Sequence, residues 1–450
     1  MEKQRSGERH RSARWRMLFL WWMTHALVGG SVRVVFEAEL IAITRSPRFG
    51  LTEAHLPWLL QAGTISTVVG KLLCGPVVAL VGLTRVGVAS LVLCSAAVLG
   101  VALSSPDGTP WVPVVHAWVW MRLFQTATWP ATNQLLSHWF PPGEHGRAWG
   151  IMSTGSRIGI MGVTSAIAVR DSWYAANDMD RGDSVELSFT VLGLTMLLWA
   201  LVIGVFLQDI PRRHRFEGDE EDNDDSARRD LLNKPEDVPW TRFLPQLTAT
   251  MMRPVFVFGL WAQGMATPMA EFQSQVPILL SRDAELGPAA VSLGLTLWHA
   301  GVLLSVLVSG WLFDRASVPQ RAFIVACPAM ISGLLFWSVL GLAAQVTGTV
   351  KLWLVFGMGA TVAPANYLLA SNLISQHAPP LVMATISSLM DLLGYAITLV
   401  LLSGSHGAAD HFQGTLVASA GAAFMCAAFT ACLYRIENAT ARGTKNDDTV

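Results

Sequence analysis

Charge is what this chain has least of. Asp, Glu, Lys and Arg make up 14% of its 450 residues, against roughly 25% in soluble proteins. The formal net charge is −1, so the overall balance offers nothing to attract nucleic acid. Cysteine is also scarce: Cys74, Cys94, Cys327, Cys426 and Cys432 all lie in apolar runs. They form no Cys-x-x-Cys pair and no metal-ligand spacing, and so read as small core residues. The eleven histidines are scattered. Neither a P-loop nor a nucleophile elbow occurs. These absences argue against an enzyme, and no cofactor or metal is expected.

What is abundant is apolar sequence, 52% of the chain. Runs of at least about 17 mostly apolar residues are long enough to cross a bilayer. Twelve are centred near Leu27, Val68, Cys94, Gln125, Ile158, Leu197, Met265, Val302, Leu334, Met358, Leu393 and Phe424. The first follows a basic N-terminus, as in a secretory leader. It is too long for one and lacks a small-residue cleavage site, so it reads as a retained helix. The expected fold is all-α membrane, with twelve transmembrane helices in two six-helix bundles. The expected divisions are a basic N-terminus at 1–16, a first bundle at 17–208, an acidic linker at 209–247, a second bundle at 248–435 and a tail at 436–450. Within the linker, Glu217 to Asp225 reads EGDEEDNDD, a composition expected to stay solvated and disordered.

Lys and Arg in short flanks set orientation. Lys3, Arg5, Arg9, Arg11, Arg14 and Arg16 precede the first span, and Arg85, Arg147, Arg212, Arg213, Arg215 and Arg315 follow even-numbered spans. Arg435, Arg442 and Lys445 lie in the tail. All fall on one side if twelve helices alternate, which places both termini and the linker in the cytoplasm. Arg45, Arg48 and Arg170 fall on the other side.

Against this apolar background a few charges stand out. Arg33 lies deep in the run from Met17 to Thr44. A guanidinium near mid-membrane costs at least about 2.5–3.5 kcal/mol and normally faces a wet cavity or a partner. Lys71, Arg122 and Arg157 lie in three later apolar runs. Together the four suggest a cationic pocket for an anion, because a guanidinium fork matches phosphate or carboxylate oxygens. Three of them also have a structural reading. Arg33 can pair with Glu37 one turn on, Lys71 can snorkel, and Arg122 with Gln125 can bond between helices. Glu271 and Asp391 are carboxylates in apolar runs. They are candidates for proton coupling or gating, or for static pairing with a cation. His299 reads as a hydrogen-bonded packing residue. Asp314 and Arg315 sit in a short turn suited to holding neighbouring helices by charge and helix-end dipoles. Trp21, Trp22, Trp111, Trp118, Trp120 and Trp139 fall near expected helix ends and read mostly as interfacial anchors. Pro130, beside Trp129 inside the fourth span, frees backbone groups near the expected cavity.

The turn GPVVALVGLTR (Gly75 to Arg85) recurs as GWLFDRASVPQR (Gly310 to Arg321), as expected of two parallel halves. Gly310 to Arg315, with Met121 to Ala131 (MRLFQTATWPA), resembles the major facilitator superfamily. In the first copy, Ala79 and Leu80 stand where the pattern has Asp-Arg. Trp129 to Gly159, Gly70 to Gly75, Arg33, Glu271-Phe272 and Gly394-Tyr395 together resemble the organophosphate:phosphate antiporters, the group that includes glucose-6-phosphate translocases. That resemblance implies a monomeric, non-enzymatic carrier, embedded in lipid, that exchanges a phosphorylated metabolite for phosphate by rocking two bundles. Taken with the charge pattern, it gives Arg33, Lys71, Arg122, Gln125 and Arg157 as candidate substrate contacts, and Glu37, Glu271, Asp391, Asp314 and Arg315 as candidates for coupling or gating. Two departures stand against it. Pro254 to Ser281 contains no Lys or Arg where the family has a second cation, and Ser156 replaces a substrate-contacting histidine. Arg157 is the candidate replacement cation. Sodium- or proton-coupled carriers of organic anions share the first-helix arginine and remain the alternative, with a non-transporting sensor behind them.

Overall fold

The computed structural model describes residues 2–31, 35–36, 39, 43, 49–52, 55–103, 111–141, 144–177, 181–209, 240–281, 288–342, 346–403 and 408–447. Among them all regular structure is helical. Helix α1 (Glu2–Thr24) runs into a π-helical turn, His25–Ser31. Then come α2 (Leu56–Val81), α3 (Leu83–Ala102), α4 (Trp111–Gln125), α5 (Thr128–Trp139), α6 (His145–Ala176) and α7 (Arg181–Phe206). The second half holds α8 (Trp240–Met251), α9 (Pro254–Glu271), a 3₁₀ turn (Phe272–Gln275) and α10 (Val276–Ser281). It continues with α11 (Pro288–Arg315), α12 (Val318–Leu342), α13 (Gly348–His377), α14 (Pro380–Ser403) and α15 (Ala408–Asp447). Each of the twelve expected span centres falls in its own crossing. Of the expected linker, residues 210–239, with its acidic run, lie outside the described residues. Its end forms part of α8, where Phe243 is buried.

Eight described helices, α2, α3, α7 and α11 to α15, are long and apolar enough to cross a membrane by length and composition. Of the other four crossings, the first lies partly outside the described residues and three fall short for physical reasons. The fourth is split. Pro130 has no N–H for the carbonyl of Thr126, and its ring crowds that oxygen, so α4 stops at Gln125 and α5 starts at Thr128. At the break the backbone tightens to Thr126 N–H on Leu123 O and Ala127 N–H on Phe124 O, 3.2 and 3.3 Å. The Thr128 hydroxyl donates to the carbonyl of Gln125, 2.9 Å. The seventh crossing is split in the same way. Pro277 cannot serve the carbonyl of Gln273, which takes the Val276 N–H instead. Helix α6 is unbroken but carries Arg147, Arg157, Arg170 and Asp171.

The two halves repeat their packing. In the first, the π turn lies backbone to backbone on α6: a Cβ on Gly159 would sit 2.2 Å from the carbonyl oxygen of Ala26. In the second, α9 packs on the corresponding helix α14 through a side chain: a Cβ on Gly394 would sit 2.0 Å from Thr267 Oγ1. Glycine is what allows these approaches, as at other intramembrane helix contacts. Between halves, α2 packs on α14 and α6 on α11.

The tryptophans correct one expectation. Trp111 and Trp120 are exposed, as anchors should be. Trp21, Trp118 and Trp139 are buried, and each indole N–H finds an acceptor: Thr132 Oγ1 at 2.8 Å, Leu59 O at 2.8 Å and Gln208 O at 3.2 Å. They join helices inside the bundle. A large ring with one donor suits that role as well as an interfacial one, and sequence position does not separate the two.

Candidate functional site

Between the halves lies a cavity with a water-accessible volume of about 130 Å³. Its walls are formed by Lys71 from α2, Arg122 and Gln125 from α4, Trp129 and Asn133 from α5, and Ser156 and Arg157 from α6. Facing them from the second half are Gln263 and Glu271 from α9, Gln273, His299 from α11, Asn366 and Tyr367 from α13, and Ser387, Asp391 and Tyr395 from α14. The breaks in the fourth and seventh crossings fall at this depth. Backbone that leaves the helix is tolerated in a membrane where it lines such a space.

The charges are held in specific ways. Lys71 Nζ donates to Asp391 Oδ2 at 2.5 Å, with the Lys71 side chain 3% exposed and the Asp391 side chain 19% exposed. This ion pair joins the halves. Arg157 is buried; its Nη1 donates to Gln273 Oε1 at 3.3 Å and to His299 Nδ1 at 3.1 Å. Its guanidinium lies 5.0 Å from the centre of the Tyr367 ring. The arginine therefore crosses from the first half to the seventh crossing, where the chain has no cation of its own. Arg122 is buried, 5.6 Å from the Trp118 ring centre. Glu271 Oε1 accepts from the Tyr395 hydroxyl at 3.0 Å. Asn133 Nδ2 donates across the halves to Ser387 Oγ at 2.6 Å. Three cations and two carboxylates among the described lining residues leave a formal excess of one positive charge.

Lys71, Arg122, Gln125, Arg157, Glu271 and Asp391 thus line one space. Asp314 and Arg315 do not. Asp314, at the end of α11, accepts from the Arg147 backbone N–H at 2.8 Å, in the first turn of α6. That is the favourable placing for a carboxylate on a helix dipole, and it joins the halves near the end that carries the termini. There Arg14 pairs with Glu144 at 3.2 Å. Arg315 is exposed and turns back on its own helix, with Nη1 donating to Trp311 O at 3.1 Å and the guanidinium 4.2 Å from the Trp311 ring centre. Arg33 and Glu37 lie outside the described residues. Arg170, expected as a flanking cation on the far side, forms a two-pronged pair with buried Glu39 and also bonds Ser188.

Sequence reading missed His25, Gln263, Asn366 and Tyr367. A signal existed for the amides, since Gln and Asn in apolar runs are rare and usually face a bundle interior. The same signal existed for His25, an ionisable residue within the apolar run from Met17 to Thr44.

A polar cavity midway through twelve crossings, walled by two repeated halves and broken helices, defines a membrane transporter of small molecules. The sequence pattern of the Major Facilitator Superfamily matches residues 18–402, and the chain belongs to that superfamily. No curated protein matches it by sequence. Among solved structures it is similar to the proton:xylose symporter XylE bound to 6-bromo-6-deoxy-D-glucose. There the identity is 12%, the TM-score 0.67, and 94% of this chain and 95% of that one are covered. It is also similar to FucP in the outward conformation (13%, TM-score 0.65, 94% and 99% covered). A third is a bacterial homologue of the iron transporter ferroportin in the outward-facing state (11%, TM-score 0.64, 93% and 98% covered). At these identities the likeness establishes the fold.

Proposed function

We propose that this transporter carries a small organic anion, a phosphorylated metabolite exchanged for phosphate being the first candidate. The observation that carries this is the convergence of Lys71, Arg122 and Arg157 from three helices on one cavity, against two carboxylates. Substrate charge offsets the positive excess and favours closure of the halves around it, so that binding drives alternating access. Arg157, held at the seventh crossing, supplies the cation that crossing lacks. Arg33 is assigned to the same anion from its sequence position. Both termini and the acidic linker are assigned to the cytoplasm from the distribution of Lys and Arg.

A second reading is supported by Glu271 with Tyr395 and by Asp391 with Lys71. Two carboxylates on the second-half wall of a transport cavity suit a proton- or sodium-coupled symporter of organic anions. Two experiments separate the readings. Thermal shift of purified protein against phosphate, sugar phosphates and carboxylates should show stabilisation by at least one anion, and Arg33→Ala and Arg157→Ala should lose it. Absence of any response in the wild type removes the anion assignment. Counterflow in proteoliposomes then decides the mode: exchange needs an anion on the far side, whereas symport responds to a pH or sodium gradient alone.

A further inference from the structure

The cations of the cavity are accounted for by an anion; its amides are not. Gln125 Nε2 donates to the carbonyl of Gly29 at 3.0 Å, and Gln263 Nε2 donates to the carbonyl of Asn366 at 3.3 Å. A carbonyl accepts and never donates, so each amide is fixed nitrogen-first and its oxygen is committed to face elsewhere. Gln125 Oε1 and Gln263 Oε1 are both buried with no partner among the described residues. Both residues line the cavity, one from each half. His25 adds a third group. It is fully buried at the start of the π turn, its ring 4.1 Å from that of Trp129, and neither ring nitrogen has a partner among the described residues. It lines the same space.

Phosphate and carboxylate oxygens are acceptors. They suit arginine and repel a glutamine oxygen. Water serves such groups in an unliganded cavity, and a substrate that displaces the water must bring donors of its own. The available donors are hydroxyl, amide N–H and ammonium, and of the neutral two only a hydroxyl both donates and accepts. An ammonium would enter a space that already holds more cations than carboxylates. A hydroxyl meets no such opposition. It also matches an imidazole, which offers one donor and one acceptor while it carries one proton.

We infer that Gln125, Gln263 and His25 form a hydroxyl-reading subsite, and that the cargo is a polyhydroxylated anion with a single acidic group directed at Arg157. The charge of the cargo rests on the anion reading above; the hydroxyls rest on the two fixed amides. Matched pairs test this by calorimetric titration of the full chain in nanodiscs: gluconate against hexanoate, and glycerol 3-phosphate against propyl phosphate, with sorbitol as the neutral polyol. In at least one pair the hydroxylated member should bind at least tenfold more tightly. Gln125→Leu and Gln263→Leu should each cut that ratio at least fivefold, mainly by weakening the hydroxylated member. Equal affinities within both pairs overturn the subsite even if anions bind. If sorbitol binds as well as gluconate, the anion reading fails and the subsite stands. No binding of any probe overturns both. Should a variant fail to fold, the wild-type ratios decide alone.

Discussion

Lys71 and Asp391 are 320 residues apart in sequence and 2.5 Å apart in space. One belongs to the first half and the other to the second, so their bond spans the surface along which a transporter of this fold separates. Removing one partner leaves a charge in a mostly buried setting, whereas removing both leaves none. Asp391→Asn is expected to destabilise by roughly 1–3 kcal/mol. The double variant Lys71→Gln/Asp391→Asn should recover part of that loss. Melting temperatures in detergent give the comparison, and a double variant worse than both singles would contradict the pairing.

Arg157 holds Gln273 and His299 through one guanidinium nitrogen. Lysine retains the charge but not the planar fork. Arg157→Lys should lower uptake about tenfold, or 1.4 kcal/mol in the relevant barrier, and Arg157→Gln should lower it further. If lysine substitutes fully, charge alone is what the position supplies.

Glu271 accepts from the Tyr395 hydroxyl, a role glutamine can keep through its carbonyl oxygen. Glu271→Gln should therefore fold normally. If Glu271 carries the coupling proton, the variant loses uptake driven by a pH gradient and retains counterflow. Equal loss of both activities would assign the residue to substrate or packing.

Asp314 receives the Arg147 N–H in the first turn of α6. Loss of such a cap costs about 1 kcal/mol. Asp314→Ala should raise amide exchange at Gly146 and Arg147 about fivefold, with little change at α9. Unchanged exchange at those two amides would show that the contact bears no load.

Gly159 and Gly162 lie one turn apart on α6 but differ in surroundings. A Cβ at Gly159 would sit 2.2 Å from Ala26 O, while at Gly162 it meets nothing within 4 Å. Gly159→Ala should cost roughly 1–3 kcal/mol through forced displacement of the π turn. Gly162→Ala should be neutral or stabilising. Thermal melts of the two variants side by side give the answer.

Sequence by itself determined the environment and the crossings. A run of apolar residues long enough to span a bilayer needs no tertiary partner to be recognised, because the membrane acts as its solvent. The same logic made Lys71, Arg122, Arg157, Glu271 and Asp391 legible as candidates, since each is costly in lipid. Proline chemistry likewise pointed to the break beside Trp129. Tertiary structure alone decided the partners. It joined Lys71 to Asp391 and sent Arg157 to the seventh crossing. It drew Trp21, Trp118 and Trp139 inward, fixed the two glutamine amides and placed His25 on the cavity wall. Those outcomes depend on which faces of distant helices meet, a long-range relation that local composition and spacing do not encode.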